Sequence, residues 1–153
     1  MKIKYVEGNI FNTKIKTIVH GCNAQGAYGA GFAEAIRIDF PEAYHAYMNK
    51  YKANGKLVLG SIIIAPCGEA GTDEFKIIIN AITQEYYGRD HKRYVSYNAI
   101  ADAMSRINLI AKLGLKEVAM PKIGAGLAGG NWNIIEAIIE SELKDVQPYV
   151  YVL

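Results

Sequence analysis

With 153 residues, 51% of them hydrophobic and 21% charged, the chain fits one domain that buries its own core. Its net charge of +2 comes without a Lys/Arg tract, so a nucleic-acid backbone is not the expected partner, whereas a compact polyanion needs only a local site. Cys22 and Cys67 are too few for a disulfide framework, and no apolar stretch approaches the roughly 20 residues of a membrane span, so a cytoplasmic protein with no membrane partner is expected.

Residues 1–6 alternate in polarity like a strand and do not read as a signal peptide. Strands are predicted over 2–6 and 16–21, the second (Lys16-Thr17-Ile18-Val19-His20) too apolar for an exposed edge. Residues 30–39 read as a helix, and Pro41 opens another to about Lys52, since proline is favoured in a first turn. The Ile-rich runs 59–65 and 75–82 have strand length. Across 94–113, Ile100, Met104, Ile107 and Ala111 recur on one helical face. A short strand over 117–120 follows, then a helix carrying Ile135, Ile138, Ile139 and Leu143, and a closing strand over 149–153. Apolar strands alternating with helices predict a three-layer α/β/α sandwich, with a mixed, largely parallel sheet of about six strands, in one domain spanning 1–153. In such sheets ligands bind beyond the carboxyl ends of the strands.

Two small-residue loops fall at such ends. One is His20-Gly21-Cys22-Asn23-Ala24-Gln25-Gly26-Ala27-Tyr28-Gly29-Ala30-Gly31-Phe32, followed by Ala33 and a helix. The other is Pro121-Lys122-Ile123-Gly124-Ala125-Gly126-Leu127-Ala128-Gly129-Gly130-Asn131, with Asn131 or Asn133 as the N-cap of the next helix. Strand, glycine loop and helix N-terminus together present free backbone N–H groups to an anion, so two such loops can grip a diphosphate. The plainer reading, that these glycines only make turns, stays open.

Other phosphate motifs fail. Glu34 stands where a dinucleotide fingerprint needs its third glycine, and Gly130-Asn131 where a P-loop needs Lys-Ser/Thr. Tyr28 and Asp73 stand where a cysteine phosphatase would carry its arginine. The histidines and cysteines lack metal-ligand spacing, and no metal or other cofactor is expected.

At these residues the chain resembles the macrodomain family over essentially its whole length. Gly8-Asn9-Ile10 is similar to a Gly-Asp-Ile motif that contacts adenine. Val19-His20-Gly21-Cys22-Asn23 is similar to Val-Asn-Ala-Ala-Asn, and residues 121–127 to the second phosphate loop. The resemblance implies that Gly8, Asn9, Ile10, Tyr151 and Leu153 hold the adenosine, Asn23 the distal ribose, and the two loops the diphosphate. Gly21, Cys22, Tyr28, Gly29, Ala30, Gly31, Phe32 and Ala33 would contribute from the first loop, and Pro121, Ile123, Gly124, Ala125, Gly126 and Leu127 from the second. Ala33, Gln84 and Ala128 stand where ADP-ribosyl hydrolases of the family carry catalytic groups. Asn9, His20 and the Tyr-x-Leu ending resemble instead the subgroup acting on ADP-ribose 1''-phosphate. The implied partner is therefore a small nucleotide, ADP-ribose or ADP-ribose 1''-phosphate, and the implied activity is release of its terminal phosphate. A non-catalytic ADP-ribose reader, or a hydrolase of ADP-ribosylated protein or nucleic acid, are the alternatives.

His20 then reads as a catalyst or as a structural hydrogen-bonder, and Asp90 as a water-activating base or a solvated carboxylate. Asn23 is a ribose ligand or a loop cap, and Tyr151 an adenine platform or strand packing. Arg89 and Lys92 read as a solvated charge cluster or as cations that attract the extra phosphate, Cys22 and Cys67 as small buried residues, and Trp132 with Tyr86 and Tyr87 as packing.

Overall fold

The computed structural model describes residues 1–88, 90 and 92–153. In chain order it contains β1 (Lys4–Glu7), β2 (Thr17–Asn23), α1 (Gly31–Asp39), α2 (Pro41–Asn54), β3 (Ile62–Cys67), β4 (Lys76–Gln84), α3 (Tyr97–Leu109), β5 (Glu117–Met120), α4 (Trp132–Glu142) and β6 (Gln147–Val152). Short 3-10 turns lie at Ile10–Asn12 and Ile110–Leu113. The sheet order is β1-β6-β5-β2-β4-β3, parallel throughout except for the β3–β4 pair. This is the mixed, largely parallel, helix-covered sheet that the alternation of strand and helix patterns predicts.

Two cores explain the order. The α1 and α2 side buries Ile18, Ile36, Tyr47, Ile78 and Ile82, while the α3 and α4 side buries Val19, Ile79, Ile100, Met104 and Ile135. Because successive strand residues face opposite sides, the apolar run in β2 and β4 serves both cores, and such strands belong in the sheet interior. Pro66, which cannot donate to a ladder, lies on β3, an edge strand.

Several boundaries differ from expectation: β3 spans Ile62–Cys67 against the expected 59–65, and β6 spans Gln147–Val152 against the expected 149–153. β2 continues three residues past His20, because Gly21 and Cys22 still pair with Ala81 and Ile82 of β4. α3 begins at Tyr97, where the Ser96 hydroxyl accepts from the Ala99 N–H and ends the preceding loop. No helix among the described residues is long and apolar enough to cross a membrane.

Ile100 is fully buried where α3 meets the sheet. Ile100→Ala is expected to destabilise the protein by about 2–5 kcal/mol. The check is a lowered chemical-denaturation midpoint with an unchanged slope.

Candidate functional site

β1, β6, β5, β2 and β4 run in one direction, so their carboxyl ends (Glu7, Val152, Met120, Asn23 and Gln84) share one edge of the sheet. From β2 the chain turns to α1 on one face, and from the neighbouring β5 it turns to α4 on the other. Adjacent strands whose connections leave to opposite faces open a crevice between them. The two glycine loops are the walls of this crevice. They approach each other closely enough that a Cβ built on Gly31 would lie 3.5 Å from Leu127 Cδ1.

The glycines divide into two kinds. At Gly26 (φ 80°) a Cβ would lie 2.6 Å from the Tyr51 ring, and at Gly124 (φ 78°) 2.8 Å from Val95 Cγ2. At Gly130 it would meet Gly124 O at 2.6 Å. These three are demanded by turn and packing. Gly29 and Gly126 are different: neither has a positive φ, and among the described residues a Cβ on either would meet nothing within 4 Å. The fold asks for no glycine there, so what remains is open space against bare backbone. Beside Gly29, α1 starts at Gly31 with no side-chain cap, since Ala30 holds that position. Its first N–H groups therefore stay available to an anion. α4 begins differently, with Asn131 accepting from the Asn133 N–H. Phe32 and Ala33, in the first turn of α1, are half-buried, and Phe32 stacks on Phe11 at 5.5 Å.

At the β1–β6 end, a cavity of about 550 Å³ is bordered by Gly8, Asn9, Thr13, Tyr149 and Tyr151, and runs down the sheet face to Glu117. Asn9 caps the 3-10 turn by accepting from the Phe11 N–H at 3.0 Å. The Tyr151 hydroxyl pairs with Thr13 Oγ1 at 2.7 Å, so its ring is tethered within this wall. The Ile10 side chain is buried in the core. Leu153 is fully exposed at the chain end.

His20 is not at the lip of the crevice. It is 1% exposed and lies under the first loop, its Nε2 2.8 Å from Asn80 Oδ1 and 2.9 Å from the Tyr28 hydroxyl. Burial pushes its pKa down to about 4, so the ring is neutral near pH 7. Asn23 does reach the end of β2, but its side chain is turned into its own loop. It donates to Ala27 O at 2.6 Å and accepts from the Gln25 N–H at 2.9 Å. Cys22 and Cys67 are buried free thiols, and burial raises the pKa of both.

Asp90 sits on the loop after β4, with its side chain 51% exposed. It accepts from the Tyr94 hydroxyl at 2.6 Å, the bond that most lowers its pKa, and Lys92 Nζ lies 3.8 Å away. This loop rests on the second glycine loop, where the Tyr94 and Val95 N–H groups both donate to Ala128 O. Asp90 is thus an ionised carboxylate on the distal flank. Lys92, 76% exposed beside it, is part of the solvated charge cluster expected there. The reading of Arg89 falls outside the described residues. Tyr86 and Tyr87, expected to pack, are 64% and 58% exposed, because the chain leaves the sheet at Gln84. Trp132 is half-buried, donating from its indole N–H to the Tyr5 hydroxyl at 2.9 Å.

Sequence reasoning missed Asn80 and Thr83. Both are polar residues in an apolar run, and that is the signal that marks them. Thr83 Oγ1 is buried without a hydrogen-bond partner among the described residues, 2.7 Å from where a Cβ on Gly21 would stand.

The His20 environment gives a pH prediction. An unfolded histidine titrates near 6.5 and this folded ring near 4, so the unfolded chain binds the extra proton between those values. Stability from this residue is complete above about pH 6.5 and is lost as the pH falls toward 4, by up to about 3 kcal/mol. Denaturation at about pH 7.5 and pH 4.5 measures the loss, which His20→Gln should largely remove; an equal loss in that variant assigns it to other groups.

Among proteins of known sequence, an ADP-ribose 1''-phosphate phosphatase of Meyerozyma guilliermondii is 25% identical over 97% of this chain and 98% of its own length. A DNA ADP-ribosyl glycohydrolase of Mycobacterium tuberculosis is 29% identical over 97% of this chain, which spans only 42% of that protein. Among solved structures, a protein of unknown function from Bacteroides thetaiotaomicron superposes with a TM-score of 0.84 and 29% identity, over 100% of this chain and 99% of that one. The Macro domain family matches residues 19–139, strand β2 through α4 and both glycine loops, and the chain belongs to that family.

Proposed function

We propose that this protein binds ADP-ribose across the β2–β5 crevice and releases the terminal phosphate of ADP-ribose 1''-phosphate. The observation that carries the reading is the pair of unobstructed glycines, Gly29 and Gly126, on loops that face each other beside the uncapped start of α1. Backbone N–H groups so arranged suit a diphosphate. Gly8, Asn9 and Tyr151 would border the adenosine, and Leu153 follows Val152, whose carbonyl accepts from the Gly8 N–H at 2.8 Å. A phosphatase of similar sequence and matching length supports the choice of substrate.

In the reaction, water adds to the terminal phosphorus, the bond from phosphorus to the ribose oxygen breaks, and phosphate and ADP-ribose leave. Asp90, ionised and exposed, can accept a hydrogen bond from that water and orient it. Its lowered pKa makes it a weak base. A phosphate monoester is a demanding substrate, so turnover is expected to be slow. The buried, reduced cysteines are compatible with work in a reducing cytoplasm. One observation favours a second reading: His20 is buried and neutral, so it cannot serve as an acid in the crevice, which suits a module that binds ADP-ribose without turning it over.

The assay that tests this is phosphate release from ADP-ribose 1''-phosphate by the purified protein in EDTA. Binding of ADP-ribose without phosphate release would leave the binding module. Calorimetry in EDTA is expected to give tighter binding of ADP-ribose than of AMP, and equal affinities would remove the distal half of the site. Gly29→Glu places a carboxylate in open space, so the fold should survive while ADP-ribose affinity falls by about 10-fold or more. Unchanged affinity with a native circular dichroism spectrum would exclude the first loop. Gly31→Glu is the poorer probe, since its positive φ (60°) strains any side chain.

A further inference from the structure

We infer that His20, Asn80 and Tyr28 form a positioning network that fixes the first glycine loop for the diphosphate, with His20 held in one neutral tautomer. The inference rests on the ADP-ribose-binding reading above, but not on turnover.

The orientation of the Asn80 amide is set by what surrounds it. Its Nδ2 lies 3.3 Å from both Ala43 O and Ile63 O, two carbonyls that only accept. Oδ1 must therefore face the other way, where Tyr28 Oη is at 2.7 Å and His20 Nε2 at 2.8 Å. An amide oxygen only accepts, so the tyrosine hydroxyl and Nε2–H are the donors. The proton of the neutral ring thus sits on Nε2. Nδ1 is then the acceptor nitrogen, with the Cys22 thiol, Sγ at 3.9 Å, as its partner among the described residues. The aromatic rings packed against it, Tyr28 edge-on at 5.4 Å and Phe32 at 5.8 Å, carry no charge.

Tyr28 immediately precedes Gly29. Its ring packs against Tyr44 and Tyr47 of α2, with centroids at 5.5 and 4.9 Å. The start of the loop is fastened separately, since the Tyr47 hydroxyl donates to Asn23 O at 2.6 Å and accepts from the Gly26 N–H at 3.1 Å. The chain from Asn23 to Tyr28 is therefore anchored at both ends to the buried layer, whereas Gly29 has open space around it. Backbone groups that bind an anion do so best when held in place beforehand, because ordering them on binding costs affinity. His20 and Asn80 act through Tyr28 and touch no ligand.

Three variants and one spectrum test this. Tyr28→Phe keeps the ring and removes the hydroxyl, and His20→Ala removes the imidazole. Each is expected to weaken ADP-ribose binding by about 3- to 10-fold, one or two hydrogen bonds' worth, with turnover at saturating ADP-ribose 1''-phosphate changed by less than about twofold. His20→Gln retains a neutral N–H donor but cannot shuttle a proton. It should restore affinity to within about twofold of wild type, with a pH–rate profile that superimposes on the parent. Nitrogen-15 spectra of the wild-type imidazole should report the Nε2–H tautomer from about pH 5.5 to 8. An Nδ1–H or protonated ring overturns the network, as does unchanged affinity in a folded Tyr28→Phe protein. A His20→Gln variant that binds normally yet releases phosphate about 100-fold more slowly overturns it in favour of acid–base catalysis. Wild-type protein that binds ADP-ribose and releases no phosphate ends the phosphatase reading alone, leaving the affinity and tautomer measurements to decide the network.

Discussion

β2 is buried on both faces, and much of the molecule follows from that. Ile18 and Val19, adjacent residues pointing in opposite directions, are both fully buried, so helices must cover the sheet on either side of this strand. A strand so placed needs neighbours on both edges, and β5 and β4 take those positions. The chain supplies the two covering layers by leaving β2 toward α1 and β5 toward α4. The crevice between those departures is a by-product of closing both cores. Gly21 marks how tightly the join is made: a Cβ there would lie 2.7 Å from Thr83 Oγ1 and 3.2 Å from Ile123 Cγ2.

Glycine in the two loops serves two unrelated needs. Gly26, Gly124 and Gly130 let the loops pack down onto Tyr51, Val95 and each other, and thereby give the loops a fixed shape. Gly29 and Gly126 do nothing for that packing and leave backbone uncovered. A rigid loop with bare amides is what anion binding requires, and neither kind of glycine supplies it alone. The turn reading accounts for Gly26, Gly124 and Gly130, whereas at Gly29 and Gly126 packing gives no reason for glycine and the proposed ligand does.

The elements were legible because periodicity and caps are local. The Ile100, Met104 and Ile107 spacing gave α3, and Asn131 proved to be the cap of α4. The edge of the sheet that gathers the loops was legible too, since it depends only on parallel strands. Side-chain commitments were not. Nothing near His20 in the sequence announces Asn80, which stands 60 residues away and becomes its partner through the β2–β4 register. Asn23 carries the same donor and acceptor whether it faces a ribose or its own loop, and the choice is made by loop geometry. Tyr86 and Tyr87 look like core residues by composition, and are exposed because the strand has already ended.

Charge was uninformative for a related reason. Binding through backbone N–H groups and a helix terminus needs no lysine or arginine, so a chain of net charge +2 can hold a diphosphate without a basic cluster to reveal it. Those dipoles do not titrate, and the polar groups beneath them, His20, Asn80 and Tyr28, are neutral at physiological pH. Formal charge is kept to the rim, where Asp90 and Lys92 meet solvent on the loop that rests against Ala128. Such a division follows from the cost of burying charge: the sheet edge can present polarity from within the fold only in uncharged form, and any ionised participant must stand where water reaches it.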